Sequence, residues 1–140
     1  MTQQTQVGSA TMHPFARYED ALAAVEWLEQ AFGLERRMVV PSDDGGVVHA
    51  ELGLGGSVFM LGSAGGTDIG VQPAKRVGTA TGGVYVVIDD VDAHCERARA
   101  AGAEITREPE DTPYDSREYT ALDLEGHPWS FGTYVPGSED

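Results

Sequence analysis

His49 and Glu51 stand two residues apart in the run Val47–Leu54, which reads as a strand, so both side chains project from one face and can touch. A carboxylate against an imidazole favours the charged ring and brings its titration into the working range of a general acid or base. The same pair can reach one metal ion, with His13 nearby. The plainer outcome is that the two hydrogen-bond each other or water. Arg17 has a similar fork: an anion clamp if unpaired, a partner of Glu51 or Glu118 otherwise, the second being commoner. Gly82-Gly83 precedes a strand instead of joining a strand to a helix, so no phosphate-cradling loop is read there. Cys95 is the single cysteine, which leaves no disulfide framework and no cysteine-based zinc site.

The elements that must position these groups are written twice. In Gly82–Ile105, β-branched and aromatic residues from Val84 to Ile88 stop at Asp89-Asp90, and an Ala-rich segment closed by Gly102 follows. This is strand, N-cap, helix and C-cap in succession. Earlier, Phe15–Tyr18 leads into Asp20, and the apolar-periodic Leu22, Val25, Leu28 and Phe32 run to Gly33. Short strand signals follow each unit, so the chain reads as a duplicated module with an offset of about 69 residues. The fold expected is α+β, with two βαβββ modules forming a curved mixed sheet around a cleft. Residues 1–10 are expected to form a mobile arm, 11–62 the first module, 63–81 a linker, 82–134 the second module and 135–140 a tail, in one structural domain.

Alternation within strands sorts side chains into a row facing the helix and a row facing the cleft. Gly55-Gly56 reads as a two-residue hairpin, pairing Leu54 with Ser57, Leu52 with Phe59 and Glu51 with Met60. Leu52, Ala50, Phe59 and Leu61 then pack on the helix, while Val47, His49, Glu51, Val58 and Met60 face the other way. A turn at Leu124-Glu125-Gly126 pairs Asp123 with His127 and Thr120 with Ser130, sending Trp129 and Phe131 to the helix. The cleft row is therefore His13, Phe15, Arg17, His49, Glu51, Met60, Tyr85, Glu118, Thr120 and Ser130. An apolar, aromatic lining with a few polar groups suits a small molecule. His94 reads as lying on an exposed helix face, and His127 as abutting a turn.

The formal charge of −14, from 23 acidic and 9 basic residues, argues against nucleic acid or an anionic membrane as partner. The opening residues lack the basic and apolar regions of a signal peptide, and no run of about 18 apolar residues occurs. With its lone cysteine, the chain is expected in the cytoplasm.

With Asp20, the Asp89-Asp90 pair and the closing run Asp123-Leu-Glu-Gly-His-Pro-Trp-Ser-Phe-Gly-Thr-Tyr134, the chain resembles the vicinal oxygen chelate superfamily. That superfamily includes glyoxalase I, bleomycin resistance proteins, fosfomycin resistance enzymes and extradiol dioxygenases. The resemblance spans His13 to Tyr134 and implies paired βαβββ modules, a cleft and a homodimer. In metal-dependent members it implies four ligands, His or Gln, Glu, His and Glu, whose positions fall here on His13, Met60, Gly83 and Ser130. A thioether, a hydrogen and a hydroxyl do not replace imidazole and carboxylates, so no metal, no cofactor and neither glyoxalase nor dioxygenase chemistry is expected. The expected function is metal-independent capture of a small molecule, an antibiotic or other natural product of cationic or aromatic character. The alternative is a metal-independent lyase, isomerase or cyclase using His49 and Glu51.

Overall fold

The computed structural model describes residues 10–65 and 70–137. Most of the expected arm, the middle of the linker and the end of the tail lie outside the described residues. The order is β1 (Phe15–Tyr18), α1 (Ala21–Phe32), β2 (Glu35–Pro41), β3 (Val47–Leu54), β4 (Ser57–Ser63), α2 (Ala74–Val77), β5 (Val84–Val87), α3 (Val91–Ala100), β6 (Glu104–Asp111), β7 (Arg117–Leu122) and β8 (Pro128–Gly132). The fold is α+β. Two four-stranded mixed sheets run β1-β4-β3-β2 and β5-β8-β7-β6, with β1 parallel to β4 and β5 parallel to β8.

Local chemistry explains the elements. Asp20 and Asp90 cap α1 and α3, each side chain accepting from a backbone N–H three residues on at 3.1 Å. Gly33 ends α1 in the left-handed region at φ 77°, where a β-carbon would be strained. The last turn of α1 carries no basic residue, and α3 supplies what is missing: Arg97 donates to the carbonyls of Gln30 and Glu29.

Both hairpin registers follow the alternation: Leu52 pairs with Phe59 and Glu51 with Met60, and Thr120 with Ser130. Val47 departs from it. A register shift between Val40 and Pro41 turns Val47 into the core, where it is 2% exposed. Two further differences concern β6, which runs on to Asp111, and the linker, which contains the short helix α2.

The helix-facing rows of both sheets share one core. Phe59 of the first sheet lies 4.8 Å from the Trp129 ring of the second, and Phe32 of α1 packs on both Trp129 and Phe131. The helices thus stand between the sheets, and the opposite rows turn away from each other. His94 corrects the expectation of an exposed face: it is half-buried, its Nε2 donating to the Phe32 carbonyl at 3.0 Å and its Nδ1 accepting from the Tyr119 hydroxyl at 2.6 Å. Packing of α3 across the end of α1 covers it. Among the described residues no helix is long and apolar enough to cross a membrane.

A turn of the second module clasps the first. Buried Asp123 accepts from the Tyr18 hydroxyl at 2.6 Å, from Trp129 Nε1, and from the backbone N–H groups of Glu125 and His127. Buried Glu125 accepts the backbone N–H groups of Glu19 and Asp20, at 2.7 and 2.8 Å, where the chain enters α1. Burial and the Asp123 carboxylate hold the Tyr18 phenol well above its ordinary range.

Candidate functional site

The expected cleft row divides into two outward faces, so one chain does not bring all of these side chains into one pocket. On the first sheet, Phe15, Met60, Glu51 and Met38 follow one another across β1, β4, β3 and β2. One rung along, Arg17 lies beside Gly62, and His49 beside Val40. A hollow of about 290 Å³ opens among Phe15, Arg17, Val48, His49, Met60 and Gly62. Phe15, Met38 and Val40 are all exposed on this face, an apolar patch rather than one stray side chain.

The His49–Glu51 pair forms as the spacing requires, with Nε2 2.8 Å from Oε2 and both side chains half-buried. Arg17 Nη1 donates to the Ser63 carbonyl at 3.1 Å. Gly62 is required beside them, because a β-carbon there would fall 2.9 Å from the Val48 carbonyl oxygen. His13 lies at the entrance to β1. Its Nδ1 donates to the Val58 carbonyl at 3.1 Å, and its Nε2 accepts from Thr11 at 2.7 Å.

On the second sheet the corresponding rung is Tyr85, Ser130, Thr120 and Arg107. Thr120 and Ser130 share a hydrogen bond of 2.8 Å, and the Tyr85 hydroxyl donates to the Tyr134 carbonyl. Glu118, 5% exposed, already has three donors and a cationic partner: Arg107, Tyr114 and Ser116 all donate to it, at 3.1, 2.9 and 3.0 Å. Burial pushes its carboxyl up, but these donors outweigh burial and hold it below the usual carboxylate range. Gly132 leaves the space that Glu118 and Tyr85 fill, since a β-carbon would meet Glu118 Cγ at 2.6 Å and the Tyr85 hydroxyl at 2.7 Å.

Sequence reasoning missed Arg107, Tyr114 and Ser116 as partners of Glu118, and Met38 and Val40 on the first face. The strand period continuing past Arg107 was a usable signal for β6. Nothing in the loop Thr112–Ser116, whose Asp115 adopts φ 63°, announces that Tyr114 folds back onto Glu118.

The four positions that would hold a metal in metal-dependent relatives do not fit one. His13 has both ring nitrogens engaged, Met60 offers a thioether, and the Ser130 hydroxyl is bonded to Thr120. At Gly83 even a β-carbon would fall 2.7 Å from the Pro128 carbonyl oxygen, so the backbone excludes a ligand side chain as it stands. Among the described residues, no group of three or more His, Cys, Asp or Glu is placed to hold an ion.

Comparison with known proteins agrees with the architecture. The family model "Glyoxalase/Bleomycin resistance protein/Dioxygenase superfamily" matches residues 11–131. An uncharacterized protein of Mycobacterium bovis is 31% identical over 129 residues, covering 89% of this chain and 83% of the relative. TioX from Micromonospora sp. ML1 superposes with a TM-score of 0.72 at 33% identity, covering 91% of this chain and 100% of that one. Glyoxalase I from Zea mays shares the fold, with a TM-score of 0.68 at 22% identity, covering 88% of this chain and 44% of that one. On the family match, the duplicated modules and the shared sheet topology, this chain belongs to the glyoxalase/bleomycin resistance protein/dioxygenase superfamily.

Proposed function

We propose that this protein captures a small aromatic natural product, an antibiotic among the candidates, without a metal ion. The observation that carries the reading is the pairing of an unusable metal position, closed at Gly83 by the Pro128 carbonyl, with an open hollow beside Phe15, Met60 and His49. Aromatic stacking on Phe15 and soft contact with Met60 bind flat ligands without chemistry. Glu118 already has three donors, so a cationic group on the ligand would turn to Glu51, whose second oxygen keeps acceptor capacity. Each outward face is half a cleft; a homodimer that sets the first face of one copy against the second face of another completes two sites. A fosfomycin resistance protein from Listeria monocytogenes shares the fold at 16% identity; a resistance role for this chain, in the cytoplasm, is part of the proposal. The test is incubation with a panel of aromatic natural products, followed by denaturation and mass spectrometry. Unaltered ligand recovered in stoichiometric amount supports capture; chemically changed ligand refutes it.

The 2.8 Å contact between His49 and Glu51 favours a second reading, a metal-independent lyase, isomerase or cyclase with His49 as base and Glu51 orienting it. It requires that His49→Ala abolish turnover while the fold persists, and full turnover in that variant ends it.

A further inference from the structure

A second hollow lies on the other side of β1, between the two sheets, with a volume of about 540 Å³. This is within the range of pockets that enclose drug-sized ligands, roughly 300–1,000 Å³. Tyr18, Phe59, Val84 and Trp129 line one side of it, and Ala74 and Val77 the other. The latter belong to the strap 70–83 that joins the modules. Its helix α2 is fastened to the end of β1, where Arg76 grips the Glu19 carboxylate with Nε at 2.7 Å and Nη2 at 2.8 Å.

The lining is unusual in composition. Charged residues make up 23% of the chain, yet among the described residues no Asp, Glu, Lys or Arg lines this hollow. A charged ligand there would be desolvated without a counterion. The polar atoms of its aromatic wall are committed, since the Tyr18 hydroxyl and Trp129 Nε1 both end on Asp123. His127 is different. A carbonyl can only accept, so the 3.2 Å contact of Nε2 with the Arg17 carbonyl places the proton on Nε2 and leaves Nδ1 as an acceptor, with no protein donor among the described residues.

We infer that this hollow, which meets the first outward hollow only along Phe15 and Ala16, is a second binding site, for an uncharged flat molecule carrying one hydroxyl or N–H that donates to His127 Nδ1. An apolar body with a donor matches both the charge-free wall and the open acceptor on His127.

Three bicyclic probes test it by calorimetry on the intact protein: 2-naphthol, 2-methoxynaphthalene and 2-naphthoate. Amide chemical-shift mapping locates each one. The expected result is binding of 2-naphthol with shifts at Tyr18, Phe59 and residues 70–84 and 127–129, the walls of the hollow. Binding of 2-methoxynaphthalene should be about tenfold weaker, the worth of one neutral hydrogen bond, and 2-naphthoate should not bind. His127→Phe should erase the preference for 2-naphthol over 2-methoxynaphthalene. If that variant does not fold, His127→Gln, which keeps polarity but moves the acceptor, should reduce the same preference. Binding of 2-naphthoate as tight as that of 2-naphthol, no binding of 2-naphthol, or shifts at His49 and Met60 instead would overturn the inference. So would shifts at residues 70–84 that grow with protein concentration alone, because the hollow would then be filled by a second copy.

Discussion

Replacing Asp123 by asparagine tests whether one carboxylate joins the two modules. The carboxylate accepts from four donors: the Tyr18 hydroxyl and Trp129 Nε1 on one oxygen, and the N–H groups of Glu125 and His127 on the other. An amide has one oxygen. Whichever way the introduced amide is turned, two of the four donors face an NH₂ group and lose their acceptor. An unsatisfied buried donor costs about 1–3 kcal/mol, so the variant is expected to lose about 4 kcal/mol, a large share of a typical domain's roughly 5–15 kcal/mol. For a chain of this size that is a fall in midpoint of about 12 °C. Tyr18→Phe removes one donor and leaves the other three bonds intact, for a loss of about 2 kcal/mol. The two changes share a partner, so the double variant should cost less than the sum of the singles. The assay is urea unfolding followed by tryptophan fluorescence, at fixed protein concentration. A loss under about 1 kcal/mol for Asp123→Asn, or strict additivity in the double variant, would refute the reasoning.

The remaining predictions are smaller. Burial holds His94 below its ordinary pKa, so the unfolded chain, titrating near about 6.5, binds the proton more readily than the folded one. Stability from His94 is thus full above about pH 6.5 and is lost as pH falls toward the folded value, with Arg97 and Tyr119 the charged and titratable neighbours. Unfolding midpoints measured from about pH 8 down to about pH 5 should show this fall in the wild type and a flatter profile in His94→Gln; identical profiles would refute it. Gly83→Ala should destabilise by roughly 1–3 kcal/mol through overpacking against Pro128, and a thermal scan that shows no loss would contradict the close approach. Protein purified without chelator and then offered nickel, zinc and iron should bind none of them stoichiometrically by elemental analysis; a bound equivalent would show that the donor set has been misjudged.

Much of the fold could be read in the chain because its signals are local. Gly55-Gly56 and Gly126 set the hairpin registers, and capping carboxylates marked the helix starts. The site was less legible. Alternation identifies the row opposite the helix but says nothing of what that row faces, so it puts His49 and Tyr85 in one cleft although their sheets turn apart. That division rests on Phe59 and Phe32 meeting Trp129, contacts far apart in the chain. Val47 was misplaced by a bulge at Pro41 that period-two reasoning does not register, and His94 by a covering element from the other module.

The clasp at Asp123 and Glu125 also bears on how the repeat has aged. Its counterpart in the first module is the bare Gly55-Gly56 turn, which carries no side-chain acceptor to offer in return. The halves have therefore stopped being interchangeable copies: a chain cut in the linker would leave the Tyr18 hydroxyl and the amides of Glu19 and Asp20 without their acceptors in one fragment, and two buried carboxylates without those donors in the other. Each repeat therefore completes the other: Trp27 of the first module donates in turn to the Ala101 carbonyl of the second, and neither half keeps its buried polar groups satisfied alone.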